Sequence, residues 1–341
     1  MVVTAAAKTT PKAQGRLREM DPVRDLGSIA NLVASAFADE IDEQGRAALR
    51  EMRWMARLSP LVWWWAQADP AFRDSFRGFV WEEPAATGRG CEIVGNVSLN
   101  RTPGHRQWWI ICNVAVRGEY QGQGIARQMM EVAIAEAQQL AGQGILLQVF
   151  QNNARARRLY TDLGFEEVSG AADLRLETIP SVAVLDLPGY ELRAWKPADG
   201  QAAFDLAQQV IPPTQQWLRP LRARDYQPDW LSRLGQWMSD RLAGRRAYRL
   251  TVLKEDRLVA IVAVTVAYQA GEHRLALMAH PRHVGQVEAA LVSRALHLLA
   301  AAPPKPVTIN VDTAHEAAIK VLRDYGFKDQ RTLLTLRKNL E

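Results

Sequence analysis

The 341-residue chain has only two cysteines, Cys91 and Cys112, and neither belongs to a C-x-x-C pair. This spacing argues against a disulfide framework and a structural zinc site, and favours a reducing, cytoplasmic compartment. The most apolar run, Leu258 to Ala267, falls well short of the ~20 residues that cross a bilayer. The amino-terminal stretch "MVVTAAAKTTPKAQG" lacks the apolar core of a signal peptide, so residues 1–15 are predicted to be a disordered leader. We expect neither a membrane partner nor a bound metal.

A strong excess of one charge is also missing. The 42 Lys and Arg residues are nearly balanced by 37 Asp and Glu residues, and the net charge of +5 is spread along the chain. A diffuse excess is weak support for a polyanionic partner, so no nucleic-acid partner is predicted. Apolar residues make up 48% of the chain, and its length fits two domains with sizeable cores.

Strand-like and helix-like segments alternate along the first half, which is typical of an α/β fold. Turn-rich segments separate the predicted strands, and Gly164 ends the last predicted helix. The predicted helices cover residues 22–37, 43–67, 125–140 and 153–163, and the main predicted strands cover 75–81, 92–100, 107–116 and 145–150.

Three short segments recur in the second half in the same order. "LREMDP" (17–22) is echoed by "LRAWKP" (192–197), and "YTDLGF" (160–165) by "LRDYGF" (322–327). Between them, the pair Gly122-Gln123 has a counterpart in Gly285-Gln286. Similarity in a fixed order predicts a duplicated domain.

The linker between the two copies is predicted at residues 181–188, where Pro, Ser and Gly interrupt the pattern. The predicted domains are therefore residues 16–180 and 189–341.

The stretch "NVAVRGEYQGQGIARQMMEVAI", residues 113–134, leads from a predicted strand through glycines directly into a helix. Such a turn presents unpaired backbone N–H groups at a helix N-terminus, where a phosphate or diphosphate is favoured. Gly122 and Gly124 allow close approach to the backbone. The stretch is not a Walker A loop, because Gly124 is followed by Ile125 rather than by Lys and Ser or Thr. It does not fit the dinucleotide fingerprint either, because Arg127 stands where a third small residue is needed.

The segment Gln121-x-x-Gly124-x-Ala126, preceded by Val114-Ala115-Val116 and followed by a helix, resembles the diphosphate loop of the GNAT superfamily of acyl-CoA-dependent N-acyltransferases. The late helix ending in "RRLYTDLGF" (157–165) is similar to that of the family. The resemblance covers residues 15–180 well and 188–341 in outline. It implies two GNAT-like domains in tandem, each with a mixed central sheet flanked by helices.

The resemblance also implies the roles of individual residues. The backbone of Val114 and Val116 would pair with the pantetheine arm, Asn153 would contact the pantetheine or a bound water, and Tyr160 would be the general acid. Seven residues separate Asn153 from Tyr160, so both would lie on one face of a helix. The diphosphate would be held by the amides of Gln121, Gly122, Gln123, Gly124, Ile125, Ala126 and Arg127.

The predicted activity is transfer of an acetyl group from acetyl-CoA to a primary amine of a small molecule or peptide. The amine attacks directly in a ternary complex, and Tyr160 protonates the leaving thiolate. The sequence leaves open the identity of the amine and whether the protein is a monomer or a homodimer. Two alternatives remain: a non-catalytic CoA-binding regulatory or scaffold protein, and a nucleic-acid-binding module that uses Arg155, Arg157 and Arg158.

The general base is not assigned by the sequence. Glu82 and Glu83 end an early strand, and Asn113 is able to orient a water; each of the three also suits a purely structural role. Cys112 is predicted to be a buried strand residue rather than a nucleophile. Four early tryptophans suit packing or the lining of an acceptor pocket: Trp54, Trp63, Trp64 and Trp65.

The second copy departs from the pattern at three aligned positions. Val287 replaces Gly124, His315 replaces Asn153, and Leu322 replaces Tyr160. A branched side chain obstructs approach to the loop backbone, and leucine cannot donate a proton. The second copy is therefore predicted to keep the fold but to have lost acyl-CoA binding or turnover.

Overall fold

The computed structural model describes residues 14–37, 49–54, 56, 77–85 and 90–340. The chain forms two compact units. The first comprises Met1–Gln148, Arg158–Glu166 and Leu336–Glu341, and the second comprises Val149–Arg157 and Glu167–Thr335.

The first unit contains a mixed sheet with the strand order β1-β2-β3-β4-β5. Neighbouring strands are antiparallel from β1 to β4, whereas β4 and β5 are parallel. The elements of this half of the chain are β1 Arg16–Glu19, α1 Pro22–Ala36, β2 Gly78–Pro84, β3 Cys91–Thr102, β4 His105–Val116, α2 Ile125–Gln139, β5 Gly144–Phe150, α3 Ala154–Asp162 and β6 Glu166–Leu176.

Helix α1 begins where its sequence predicts. The Asp21 side chain accepts a hydrogen bond from the Val23 amide at 2.9 Å, and Pro22 occupies the first turn, where a missing N–H costs nothing. Its apolar residues recur at helical spacing and are buried in the unit, which fixes the helix against the rest of the core. These residues are Leu26, Ile29, Ala30, Leu32 and Val33.

The second unit repeats this arrangement. Its sheet has the order β7-β8-β9-β10-β11-β6-β12, antiparallel from β7 to β10 and parallel between β10 and β11. The elements are β7 Glu191–Ala194, α4 Gly200–Val210, α5 Pro213–Leu218, α6 Ala223–Tyr226, α7 Trp230–Leu242, β8 Arg245–Lys254, β9 Arg257–Ala267, β10 His273–Ala279, α8 Glu288–Ala300, β11 Val307–Asp312, α9 Glu316–Asp324 and β12 Lys328–Asn339.

An arginine–aspartate pair explains the first sequence echo. Arg18 donates two hydrogen bonds to Asp25, at 2.6 and 2.8 Å, and Arg193 donates two to Asp199, both at 2.8 Å. Each pair joins the first strand of a copy to the turn or helix that follows it. Bidentate pairing of this kind is specific in geometry. The repeated pair and the repeated strand order confirm the predicted duplication and the predicted α/β fold class.

The compact units do not contain the same segments as the predicted domains. β6 comes from the first copy, but it pairs antiparallel with β11, with residues 171–176 opposite 307–312, and it belongs to the second unit. The last residues of the chain belong to the first unit, where the Leu340 amide bonds to the Gln143 carbonyl at 2.9 Å. Hydrogen-bonding between strands, rather than the linker at 181–188, sets the limits of the units.

Parts of three predicted elements lie outside the described residues. These parts are residues 1–13 of the predicted leader, residues 75 and 76 of the predicted strand at 75–81, and most of the predicted helix at 43–67, including Trp63, Trp64 and Trp65. Residues 49–54 and 56 are helical, and Trp54 is exposed. Among the helices in the described part of the chain, none is long and apolar enough to span a membrane.

Candidate functional site

Strand β4 contains a bulge shortly before the glycine loop. Asn113 has φ +53°. Two residues of β4, Asn113 and Val114, stand opposite one residue of β3, Val97. The Asn96 amide group donates to the Asn113 carbonyl at 2.9 Å, which holds the bulge in place. A bulge bends its strand and redirects the backbone beyond it.

The parallel pairing of β4 with β5 ends at the same level. Residues 108–111 of β4 pair with 144–147 of β5, whereas β4 continues to Val116. In the described sheet, the backbone of residues 112–116 therefore extends past the last β4–β5 pair. An exposed strand edge of this kind binds an extended ligand through main-chain hydrogen bonds.

The loop that follows is open at its two central glycines. Gly122 and Gly124 have φ +85° and +83°, in the left-handed region that favours glycine, and both are exposed. Gly124 is the N-cap residue of α2, and no side-chain hydrogen bond caps this helix end. A Cβ built on Gly124 would meet only Gln128 Nε2, at 3.9 Å. The N-terminus of α2 is thus accessible from outside.

The first amide of α2 that bonds back within the helix is that of Gln128, to the Gly124 carbonyl at 3.0 Å. The amides of Ile125, Ala126 and Arg127 precede it and project from the helix end. The helix dipole adds a partial positive charge at this point. Together these groups suit a diphosphate, as the loop sequence predicts.

Two side chains of the loop have structural contacts of their own. The Gln121 amide group donates to the Val116 carbonyl at 2.9 Å and ties the loop to the end of β4. The Arg127 guanidinium pairs with Asp162 at 2.9 Å and joins α2 to α3. The Gln121 main-chain amide, one of the predicted diphosphate donors, itself bonds to the Gly118 carbonyl at 3.2 Å, so the amides after Gln121 are left to face a ligand at this turn.

Tyr160 lies on α3 and is 6% exposed. Its ring packs edge-on against Phe165 with the centroids 6.2 Å apart. Burial raises the pKa of the Tyr160 phenol to about 12, so the hydroxyl is protonated at neutral pH and able to donate a proton.

Asn153 precedes α3 rather than lying within it. Its carbonyl accepts the Arg157 amide at 3.0 Å, and its side-chain oxygen accepts the Ala156 amide at 3.1 Å. Asn153 therefore caps the helix, and α3 begins at Ala154 instead of the predicted Asn153. Contact of its side-chain nitrogen with a ligand stays a prediction.

The carboxylates that end β2 are poorly suited to act as the general base. Glu82 accepts hydrogen bonds from Arg18 at 2.6 Å and Arg24 at 2.8 Å. The Arg18 hydrogen bond lowers the pKa of Glu82, outweighing the opposite effect of burial. Glu83 is buried and accepts the Trp81 indole N–H at 2.8 Å. Both contacts favour the structural role for these residues.

A row of uncharged polar groups lies at the bulge instead. Asn96 is fully buried, and Asn96 Nδ2 and Asn113 Nδ2 lie 3.3 and 3.4 Å from Ser98 Oγ. The Asn96 Oδ1 atom is buried without a hydrogen-bond partner in the described structure. It is a buried acceptor that one water would satisfy. The role of Asn113 in orienting a water stays a prediction.

Cys112 precedes Asn113 on β4 and is half-buried, rather than fully buried as predicted. Burial raises the pKa of its thiol to about 11, so the thiolate is scarce at neutral pH. This agrees with the predicted structural role. No three His, Cys, Asp or Glu side chains in the ranges that the structure describes are grouped to hold a metal ion.

The equivalent loop of the second copy is closed by an acidic side chain. Gly285 keeps the left-handed conformation, with φ +85°, but Val287 is fully buried. Glu288, the first residue of α8, accepts the Gly285 amide at 2.8 Å and the His315 imidazole at 2.8 Å. The anion position at this helix end is thus filled by the protein itself. Sequence reasoning missed Glu288. An acid at the first helical position, three residues after Gly285, was a usable signal.

We expect Glu288→Gln to destabilise the protein in a pH-dependent way. Burial raises the pKa of Glu288, but hydrogen bonds from His315 and from backbone amides outweigh it and hold the pKa below the ordinary 4.5. Because the pKa of Glu288 is lower in the folded than in the unfolded protein, its carboxylate stabilises the fold at pH values above the unfolded pKa. This stabilisation is lost as the pH falls through the folded pKa. Thermal melts should show a lower Tm for the variant at pH 7 and a shrinking difference below pH 4.5. An equal difference at pH 7 and pH 3 would contradict this role.

Residues 38–165 match the acetyltransferase (GNAT) family. A GCN5-related N-acetyltransferase from Sphaerobacter thermophilus is similar in structure, with 16% identity, a TM-score of 0.58 and 97% of each chain covered. A tandem GNAT protein from the clavulanic acid biosynthesis pathway has 14% identity and a TM-score of 0.51, covering 96% of this chain and 98% of that one. The glucosamine N-acetyltransferase region of a fungal multi-domain β-N-acetylglucosaminidase has 12% identity and a TM-score of 0.56, covering 96% of this chain and 38% of that chain.

No curated protein matches the sequence significantly. The family match covers the glycine loop and Tyr160, and the structural matches cover both copies of the fold. Residues 38–165 therefore match the GNAT family, and the chain as a whole has the fold of a tandem GNAT protein.

Proposed function

We propose that the first copy is an acetyl-CoA-dependent N-acetyltransferase that acts on a primary amine of a small molecule or peptide. The observation that carries this proposal is the open turn at Gly122 and Gly124, where the first amides of α2 project from an uncapped helix end. The same turn in the second copy is closed by Glu288. The family and the fold are those of acyl-CoA N-acetyltransferases in general, and the acetyl donor and amine acceptor are the proposed part.

In the proposed reaction, the turn at residues 121–127 binds the diphosphate and the edge of β4 near Val114 binds the pantetheine arm. The lone pair of the neutral amine forms the new N–C bond, and a backbone N–H near Val116 stabilises the oxyanion. The C–S bond then breaks, and Tyr160 gives its proton to the sulfur. A water held by the polar row at Asn113 takes the proton that the amine loses.

Burial raises the proton affinity of a phenol and of a thiol alike. The pKa of Tyr160 is raised to about 12, and that of the Cys112 thiol to about 11. The coenzyme A sulfur is also a thiol, so burial at the bulge would raise its pKa in the same direction. Burial therefore leaves the relative proton affinities of the phenol and the thiolate about as they are in water.

The proposal is tested by titrating the purified protein with acetyl-CoA and then measuring thiol release with a panel of amines. The panel contains an amino sugar, a polyamine, an aminoglycoside, an amino acid and a peptide. Acetyl-CoA binding with thiol release for at least one amine is expected. Binding without release by any amine would favour the regulatory or scaffold alternative. Salt-sensitive DNA binding without acetyl-CoA affinity would favour the nucleic-acid alternative.

A further inference from the structure

The second unit contains a cavity between α7 and β8 with a volume of about 1020 Å³. This is large enough for a ligand of nucleotide size. We call it the arginine cavity, because five arginines line it together with tryptophan and tyrosine side chains. The five are Arg233, Arg241, Arg245, Arg246 and Arg249.

In the part of the chain that the structure describes, few acidic groups balance the positive charge of the cavity. Within the described part of the chain, none of the five arginines takes part in a salt bridge. Asp240 is the acidic residue among the lining side chains, and it already accepts a hydrogen bond from Gln236 at 3.0 Å. Several guanidinium groups thus face one space with little to neutralise them, an arrangement that an anionic ligand would stabilise.

Three of the arginines stack on aromatic rings. Arg249 lies 5.5 Å from the centroid of Trp195, and Arg241 lies 5.7 Å from that of Trp237. Arg246 lies 5.1 Å from the ring of Tyr248. Stacking uses the flat face of a guanidinium and leaves the N–H groups at its edge to donate. These edges suit the oxygens of phosphate or carboxylate groups.

Helix α7 lines the cavity with polar side chains as well as with the indole of Trp237. Arg233, Gln236 and Asp240 recur at helical spacing and line the cavity beside β8. No residue of α7 is buried, and large apolar residues such as Leu231 (58% exposed) and Leu242 (81% exposed) point to the outside. The space between α7 and β8 is therefore not filled by an apolar core, as it would be under an ordinary amphipathic helix.

We propose that the arginine cavity binds a small polyanion with at least three negative charges, carried by phosphate or carboxylate groups. The cavity lies within the second unit, so this site is distinct from the diphosphate turn of the first copy and does not depend on its activity. It gives the second copy a ligand of its own in place of acyl-CoA.

The full-length protein should be titrated calorimetrically at low salt with tripolyphosphate, ATP and citrate. The first two probes present phosphates and the third carboxylates, so their relative affinities identify the preferred anion. The double variant Arg245→Gln/Arg249→Gln is expected to weaken binding of the preferred probe by about tenfold or more, because it removes two charge-assisted contacts. Affinity should also fall as salt is added. If the double variant fails to fold, the exposed Arg241→Gln on α7 should reproduce part of the loss.

Two controls separate this site from general charge effects and from the first copy. Arg257→Gln removes an exposed arginine of β9 that does not line the cavity, and should change the affinity less than about twofold. Gly124→Val should leave binding of the probe to the arginine cavity intact. The proposal is overturned if none of the three probes binds, if Arg257→Gln weakens binding as much as the double variant, or if Gly124→Val alone abolishes it. Tighter binding of a single-stranded oligonucleotide than of any small probe would overturn it in favour of a nucleic-acid site.

Discussion

Replacing Gly124 by valine is expected to weaken acetyl-CoA binding by at least about tenfold. Gly124 has φ +83°, and a residue with a Cβ pays roughly 1–2 kcal/mol to adopt this conformation. A Cβ at this position has room, since its nearest contact is Gln128 Nε2 at 3.9 Å. The variant should therefore fold, but its branched side chain would stand above the amides that face the diphosphate. Titration with acetyl-CoA, followed by a thermal melt of the same sample, measures both effects.

The second copy supplies a matched control in Gly285→Val. Gly285 has φ +85°, and a Cβ built on it would meet nothing within 4 Å. Gly285 aligns with Gly122, two residues before the position of Gly124, so the control matches the side chain and the left-handed backbone conformation within the equivalent turn. Gly285→Val should leave acetyl-CoA affinity unchanged. Equal losses in the two variants would show that backbone strain, rather than the diphosphate contact, lowers the affinity.

Tyr160→Phe is expected to lower kcat by about 10²-fold or more while KM for acetyl-CoA changes little. The substitution removes a proton donor and keeps the ring that packs against Phe165. Steady-state kinetics with the amine found to be active measures the two parameters separately.

Tyr325→Phe in the second copy is the control for the loss of a phenol hydroxyl. Tyr325 is half-buried and packs against the core of its own unit, so its variant should retain full turnover. A Tyr160→Phe protein with the kcat of the wild type would remove the tyrosine from the chemistry. The leaving thiolate would then have to be protonated by water or another group.

Local sequence patterns predicted the elements of the first copy well. The strand expected at 92–100 is β3, Cys91–Thr102, and the helix expected at 125–140 is α2, Ile125–Gln139. Their boundaries are set by turn residues and helix caps, which lie close together in the sequence. The duplication was visible for a related reason, because Arg18 and Arg193 each lie in a short segment that the pairing with an aspartate keeps similar.

Long-range features were not predicted. The pairing of β6 with β11 joins residues far apart in sequence, and alternation of apolar residues identifies a strand without naming its partner. The role of Glu288 could not be predicted for the same reason. An acid at the start of a helix is usually solvated, and only the structure places His315 beside it.

The arginine cavity was missed for a different physical reason. Its members belong to a helix and a strand that follow each other directly, with only Ala243 and Gly244 between them, but a set of arginines around a helix end is typical of a solvated surface. Folding brings Arg233 and Arg241 of α7 opposite Arg245 and Arg249 of β8 around one space. Net charge, which is only +5 for the chain, does not reveal such a local concentration.

The stoichiometry of acetyl-CoA binding tests the central claim most directly. That claim is that an open helix N-terminus in the first copy binds the diphosphate, whereas Glu288 closes the equivalent site in the second. Calorimetric titration of the Arg245→Gln/Arg249→Gln variant, in which the arginine cavity is weakened, should give one acetyl-CoA per chain. Two acetyl-CoA molecules per chain, or one that persists unchanged in Gly124→Val, would contradict the account.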